Sequence, residues 1–326
     1  MNQVRSGRRT AMTAVIAAAV LIASLSCEDK LNGPADGGGR SLAKGKGGVT
    51  PPPPPPAGVI TGGNGMTAAP SGTVTLDQVC DFTLVPAGTA PAPGTLPVAA
   101  GTTVQLVRQA YDCVPTVDAA GALVTGMGLS VNAPQITIDL NGATIRSTLN
   151  VDAISGGAAE NQGILVGANN VTITNRATAA ATLITGFTIN LDFASMTDGV
   201  LQGLKLASGD YNIQLVDSRP AAALKLQRAS RITISQILAD ATGPDGTRGV
   251  DVILSNNVLF TNGATLRGRA SGIRFRDSFD ARIENSSICG FTIDHIEFAR
   301  NVQNVVQTNN TFCDRALVCI TTPPAP

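Results

Sequence analysis

Asp251, Arg274 and Glu297 recur at intervals of 23 residues, each as the middle residue of an apolar-x-apolar triplet. In a β-strand the middle residue of such a triplet points away from the face its neighbours bury. If the three triplets stack as parallel strands about 4.8 Å apart, the two carboxylates lie about 9.6 Å apart with a guanidinium between them. That is near the upper end of the roughly 6.5–9.5 Å at which two carboxyl groups serve an inverting glycosidase. Lys205 and Lys225 occupy the same middle position in earlier triplets, Gly203-Leu204-Lys205-Leu206 and Ala223-Leu224-Lys225-Leu226. With Arg274 they could neutralise the carboxylates of an acidic polysaccharide. His295, the single histidine of the chain, lies beside Glu297 in the turn position that Gly fills elsewhere. The competing interpretation is a face of mutually paired charges, each cross-strand pair contributing roughly 0.2–1 kcal/mol.

Other chemistry is excluded or unsupported. One histidine rules out a multi-His metal site, and no metal or cofactor is expected. HExxH, GxSxG, P-loop and CxxC motifs are absent. The 326 residues are 14% charged, against about 25% in ordinary domains. Residues 1–46 carry seven basic and three acidic residues, which leaves 16 basic and 20 acidic from Gly47 onward. A mildly acidic body argues against nucleic acid, which demands a basic footprint. With no Trp, few aromatic platforms are available for sugar stacking.

The triplets belong to a repeat that has to position these side chains. Their first apolar residues are 164, 204, 224, 250, 273, 296 and 317. The step of 40 is read as two units, with a degenerate one near Leu183 to Ile189. A second motif follows each triplet by seven to nine residues, apolar-x-apolar-x-amide, as in Val171-Thr172-Ile173-Thr174-Asn175 and Val258-Leu259-Phe260-Thr261-Asn262. A fixed period of about 23 residues with two period-2 segments and no room for a helix reads as a β-solenoid. Its inward positions include Ile234, Phe260 and Ile283. The fifth residues, Asn175, Asp217, Gln236, Asn262, Asn285 and Asn309, are expected to stack as an amide ladder in left-handed turns. On that reading Asn285-Ser286-Ser287 and Asn309-Asn310-Thr311 are ladder positions and not glycan acceptors.

This ladder, the coil length and the segment Gln135-Ile136-Thr137-Ile138-Asp139-Leu140-Asn141-Gly142-Ala143-Thr144-Ile145 resemble bacterial right-handed parallel β-helix proteins of the pectin-lyase-like superfamily. The segment is similar to their DLNGHTI entry coil, with Ala143 in place of His. The resemblance spans about Ile136 to Ile320. It implies an all-β right-handed parallel β-helix and no particular activity, since lyases, hydrolases, epimerases and adhesins share that fold. The Gly-His-Gly and Arg-x-Lys pair of the polygalacturonase-like enzymes are absent.

The remaining segments supply an address. Residues 1–26 read as a signal peptide, with Arg5, Arg8 and Arg9 before an apolar run from Ala11 to Leu25. Ser24-Leu25-Ser26-Cys27 resembles a lipobox with Ser where Leu is usual. It implies lipidation of Cys27 and a membrane held through that lipid, the alternative being plain secretion after Ser26. Residues 27–69, with three consecutive Gly and Pro51 to Pro56, read as a tether. Residues 70–131 read as an N-terminal cap with entry strands, 132–322 as the β-helix and 323–326 as a tail. Five cysteines follow Cys27. Cys80 and Cys113 are expected to staple the cap. Cys289 and Cys313 lie one coil apart and are favoured as a second bridge, with Cys313–Cys319 as its rival. The functional expectation is a lipid-anchored, non-catalytic surface protein that binds matrix or polysaccharide. The alternative is a lyase or glycoside hydrolase working through the charged stripe.

Overall fold

The computed structural model describes residues 59–60, 72–119, 123–147, 161–177, 182–207, 222–240, 248–268, 271–291, 294–313 and 319–320. The signal peptide, Cys27, most of the tether, Asp217, the last triplet with Val318, and the tail lie outside them. Among the described residues every regular element is a strand. Nearly all fall into three stacked sheets of ten, nine and nine strands, here called A, B and C. The chain visits them in the order B, A, C and then returns to B one layer on. One full coil runs through Arg248–Ile253 in B, Asn256–Thr261 in A and Ala264–Gly268 in C. Strand pairing between coils is parallel in all three sheets, save for Cys319–Ile320, which closes sheet C antiparallel.

Period-2 alternation in each strand sends every second side chain inward, where coils stack like on like. In sheet A Ile234 aligns with Phe260 and Phe260 with Ile283, and none of the three is more than 3% exposed. The expected register of the core is the observed one. Burying branched and aromatic side chains in such columns contributes about 1.5–3 kcal/mol each. Glycine before the triplets has a steric cause. A Cβ on Gly272 would stand 2.4 Å from Cγ2 of Ile288 and 2.6 Å from the carbonyl oxygen of His295 in the next coil.

The turn from A to C also has a local cause. Gly203, Gln236, Asn262, Asn285 and Asn309 take φ of 73, 53, 51, 50 and 52°, whereas Asn175, expected in the same conformation, does not adopt a positive φ. Glycine and short amides populate that left-handed region more readily than other residues. Gly203 holds the layer that the sequence reading gave to Asp217. Side-chain hydrogen bonds between coils sit at the expected position in Asn175, whose Oδ1 accepts from Gly142 N at 2.8 Å, and in Gln236, whose Oε1 accepts from Gln202 Nε2 at 3.3 Å, and one residue further on in the later coils. Ser286 Oγ accepts from Gly263 N at 3.3 Å, Asn310 Oδ1 accepts from Ser286 N at 3.1 Å, and Asn310 Nδ2 donates to the Ile283 carbonyl at 2.8 Å.

Residues 73–113 extend the same sheets. Their order departs from the chain, because Phe82–Pro86 lies between Thr95–Val98 and Leu129–Val131 in sheet B. A Cys80–Cys113 disulfide ties this region together across 33 residues. Tyr111, 4% exposed, pins the loop beside it. Its hydroxyl donates to the Leu76 carbonyl at 2.8 Å and accepts from the amides of Val107 and Arg108 at 3.1 and 3.0 Å. Burial pushes this hydroxyl above its ordinary pKa of 10.0. The neutral form is therefore the one the fold favours, and its contribution is complete below pH 10 and lost as pH rises through the folded value. Tyr111→Phe is expected to cost about 1–3 kcal/mol at neutral pH by orphaning these groups. It should also flatten the alkaline decline. Urea unfolding of both proteins between neutral pH and pH 11 checks this, and a variant as stable as the wild type would refute it.

Candidate functional site

The charged stripe exists, on the outer side of sheet B, with one member changed. Leu165, Asp192, Lys225, Asp251, Arg274 and Glu297 are Cα partners in successive coils. Lys205 is not among them. Its strand, Lys205–Ala207, belongs to sheet C, between Leu183–Thr185 and Leu238–Asp240. The sheet B strand of that coil is Ile189–Ala194, so Asp192 takes the place given to Lys205. Its Asn190-Leu191-Asp192-Phe193 fits the triplet pattern once Asn is allowed where Gly usually stands. That was the signal by which Asp192 could have been found.

These side chains point away from the core and are buried all the same. Asp192 and Asp251 are 2% exposed, Arg274 8% and Lys225 9%. Arg274 grips Asp251 with two parallel hydrogen bonds, Nε at 2.8 Å and Nη2 at 2.5 Å. Lys225 Nζ lies 3.6 Å from Asp192, which also accepts from Gln162 Nε2 at 2.7 Å. Glu297 accepts from Ser271 Oγ at 2.5 Å and has Arg248 Nε 3.6 Å away. Arg248, unremarked in the sequence, thus joins the cluster. Burial lowers its pKa from the ordinary arginine value, the Arg274 guanidinium adds to this, and Asp251 and Glu297 oppose it.

Three carboxylates and three cations form a charge-balanced layer. A carboxylate held bidentately by arginine accepts one charge-assisted hydrogen bond at each oxygen. Both carboxylate oxygens of Asp251 are thereby engaged within the protein. Glu297, with a quarter of its side chain exposed, is the most accessible acid of the group. His295 sits two residues before Glu297 but engages sheet C. Its Nε2–H donates to the Cys313 carbonyl at 2.5 Å, and its ring meets Phe312 edge-on at 5.7 Å between centroids. No three His, Cys, Asp or Glu side chains gather as a metal site among the described residues.

Sheet C carries the second disulfide. Cys289 and Cys313 are Cα partners in adjacent coils and are bonded, as favoured from their spacing. Cys319 stands opposite Cys313 in the closing antiparallel pair.

No family model matches the chain, and no curated protein matches it. Solved structures do. The pectate lyase Pel9A is 11% identical over 71% of this chain and 56% of its own, with a TM-score of 0.37. The tailspike protein 2 of Escherichia coli O157:H7 bacteriophage CAB120 is 9% identical over 75% of this chain and 35% of its own, at 0.40. The polygalacturonase of Erwinia carotovora ssp. carotovora is 10% identical over 78% of this chain and 95% of its own, at 0.38. The chain thus spans 56% of the length of the first and 35% of the second. Strand–crossover–strand connections between parallel strands are right-handed in about 98% of cases. With three parallel sheets visited in a constant order by coils of one repeated pattern, the chain folds as a right-handed parallel β-helix.

Proposed function

We propose that the chain is a non-catalytic surface protein that binds polysaccharide or extracellular matrix, held at an outer membrane or cell surface by lipid on Cys27. The observation that carries the non-catalytic part is the buried Arg274–Asp251 pair, which leaves the centre of the stripe engaged with itself. A long repetitive stack suits a long repetitive polymer, because each coil repeats the contacts of its neighbour and weak contacts add along the axis. Two disulfides fit an oxidising compartment outside the cytoplasm. The lipobox-like segment and the Gly/Pro-rich tether support the anchor.

The test uses the full chain against neutral and acidic polysaccharides. Binding without new reducing ends, and without the ultraviolet absorbance of an unsaturated product, is the expected result. Turnover that disappears in Glu297→Gln would instead assign the stripe, with Asp251, Arg274 and Glu297, to a lyase or hydrolase, and Lys225 to its substrate. The anchor has its own arm. Wild type should fractionate with membranes and Cys27→Ala should be released, whereas equal release of both refutes lipidation.

A further inference from the structure

The outer face of sheet A differs from that of sheet B. Its inward residues are core, so the alternate positions form the outer face, where threonine is the commonest residue. Thr73, Thr103, Thr137, Thr172, Val200 and Thr233 are Cα partners in successive coils. The column continues through Leu259, Arg282 and Val306, and its threonine-rich part spans five steps of about 4.8 Å, about 24 Å. Two residues along each strand, a second column includes Ser235 and Thr261. Thr103, Thr137, Thr172, Thr233, Ser235 and Thr261 are all partly exposed. Among the described residues none of their hydroxyls has a hydrogen-bond partner in the protein.

Charge within the strands of this face is engaged locally, by ion pairs or by hydrogen bonds such as that from Asn304 Nδ2 to Asp280 at 2.9 Å. Asp139, which shares the second column with Glu284, is 2% exposed. It accepts hydrogen bonds from Gln105 Nε2 at 3.3 Å and from the amides of Asn141 and Arg176 at 3.0 and 3.1 Å. Arg282 and Glu284, two coils beyond Thr233, pair with each other. At the margin Arg231 is held bidentately by Asp198.

We infer that the outer face of sheet A binds an uncharged polysaccharide laid along the stack, an inference that rests on the polysaccharide reading above. The face offers a regular series of hydroxyls that donate and accept, matching a polymer whose own groups are hydroxyls. The two cations within its described strands, Arg231 and Arg282, are already paired, so the carboxylates of an acidic glycan laid on those strands would be desolvated without compensation. These two arginines are each bound to a carboxylate, and the two outward columns hold no aromatic residue among the described residues, so the anchors that carry protein–protein interfaces are not free there. Each sugar contributes little, and the repeat of the face along the axis supplies the avidity.

The probes are galactomannan and hydroxyethyl cellulose as neutral polymers and polygalacturonate as an acidic one, in affinity electrophoresis of the full chain. Neutral polymers should retard it more than polygalacturonate. Thr137→Val/Thr172→Val/Thr233→Val keeps shape and β-branching while removing three hydroxyls, and should weaken retardation at least tenfold with an unchanged unfolding midpoint. The matching triple Thr→Ser variant keeps the hydroxyls and should bind. A Thr→Val triple that binds as wild type overturns the inference, and loss of binding in Asp251→Leu/Arg274→Met moves the glycan to sheet B with the polysaccharide reading intact. Preference for polygalacturonate overturns the neutral class. Absence of retardation by all three polymers overturns this inference and the polysaccharide reading together.

Discussion

Arg274→Ala is expected to destabilise the protein by about 3–5 kcal/mol, the range for removing one partner of a buried ion pair. Asp251, 2% exposed, would lose both hydrogen bonds from the guanidinium and be left as an uncompensated charge. The double variant Asp251→Leu/Arg274→Met removes the charge with its partner, and such replacements are often neutral or stabilising. It should recover most of the loss. Denaturant unfolding of the two single variants and the double forms a mutant cycle that reads this directly. A single variant that unfolds at the wild-type midpoint would show that water reaches Asp251, and would reopen the stripe as a site for a charged ligand.

Phe260→Ala should cost about 3–5 kcal/mol, the range for truncating a buried aromatic. Phe260 is 3% exposed between Ile234 and Ile283, and a solenoid core has few ways to collapse around a gap, because each layer is held in register by its neighbours. Thr233→Val, one residue before Ile234 and on the outer face, should change stability by less than about 0.5 kcal/mol. Equal midpoint losses in the two variants would mean that the inward and outward columns of sheet A are exchanged.

Much of the fold was legible because its signals are local. Inward Ile234, Phe260 and Ile283 follow from alternation within five residues of chain. The turn residues Gln236, Asn262, Asn285 and Asn309 follow from the backbone conformations short amides tolerate, and the Cys289–Cys313 bond from an offset of one coil. Lys205 shows where locality ends. Gly203-Leu204-Lys205-Leu206 and Asn190-Leu191-Asp192-Phe193 are both period-2 segments next to a turn, and either could serve any of the three sheets. Which sheet each joins depends on hydrogen bonds to strands 20 or more residues away, and the connections between C and B vary in length from coil to coil. The period therefore carried the coil length, the parallel direction and two of the three strands in each coil, while the third strand, in sheet C, and the assignment of Asp192 to the stripe and Lys205 to another face came only from strand pairing.

The candidate site divides in the same way. Sequence alone determined that Lys225, Asp251, Arg274 and Glu297 stand one coil apart and point away from the core, since strand alternation decides direction. It could not determine that they are covered. Pointing outward from a sheet is a property of one strand, whereas burial is a property of everything packed around it, and Arg248, Gln162 and Ser271 reach these carboxylates from other coils. A stripe that a sequence presents as solvent-facing charge is, in the folded chain, a layer of paired ions, because tertiary packing removed the water that would have kept them free.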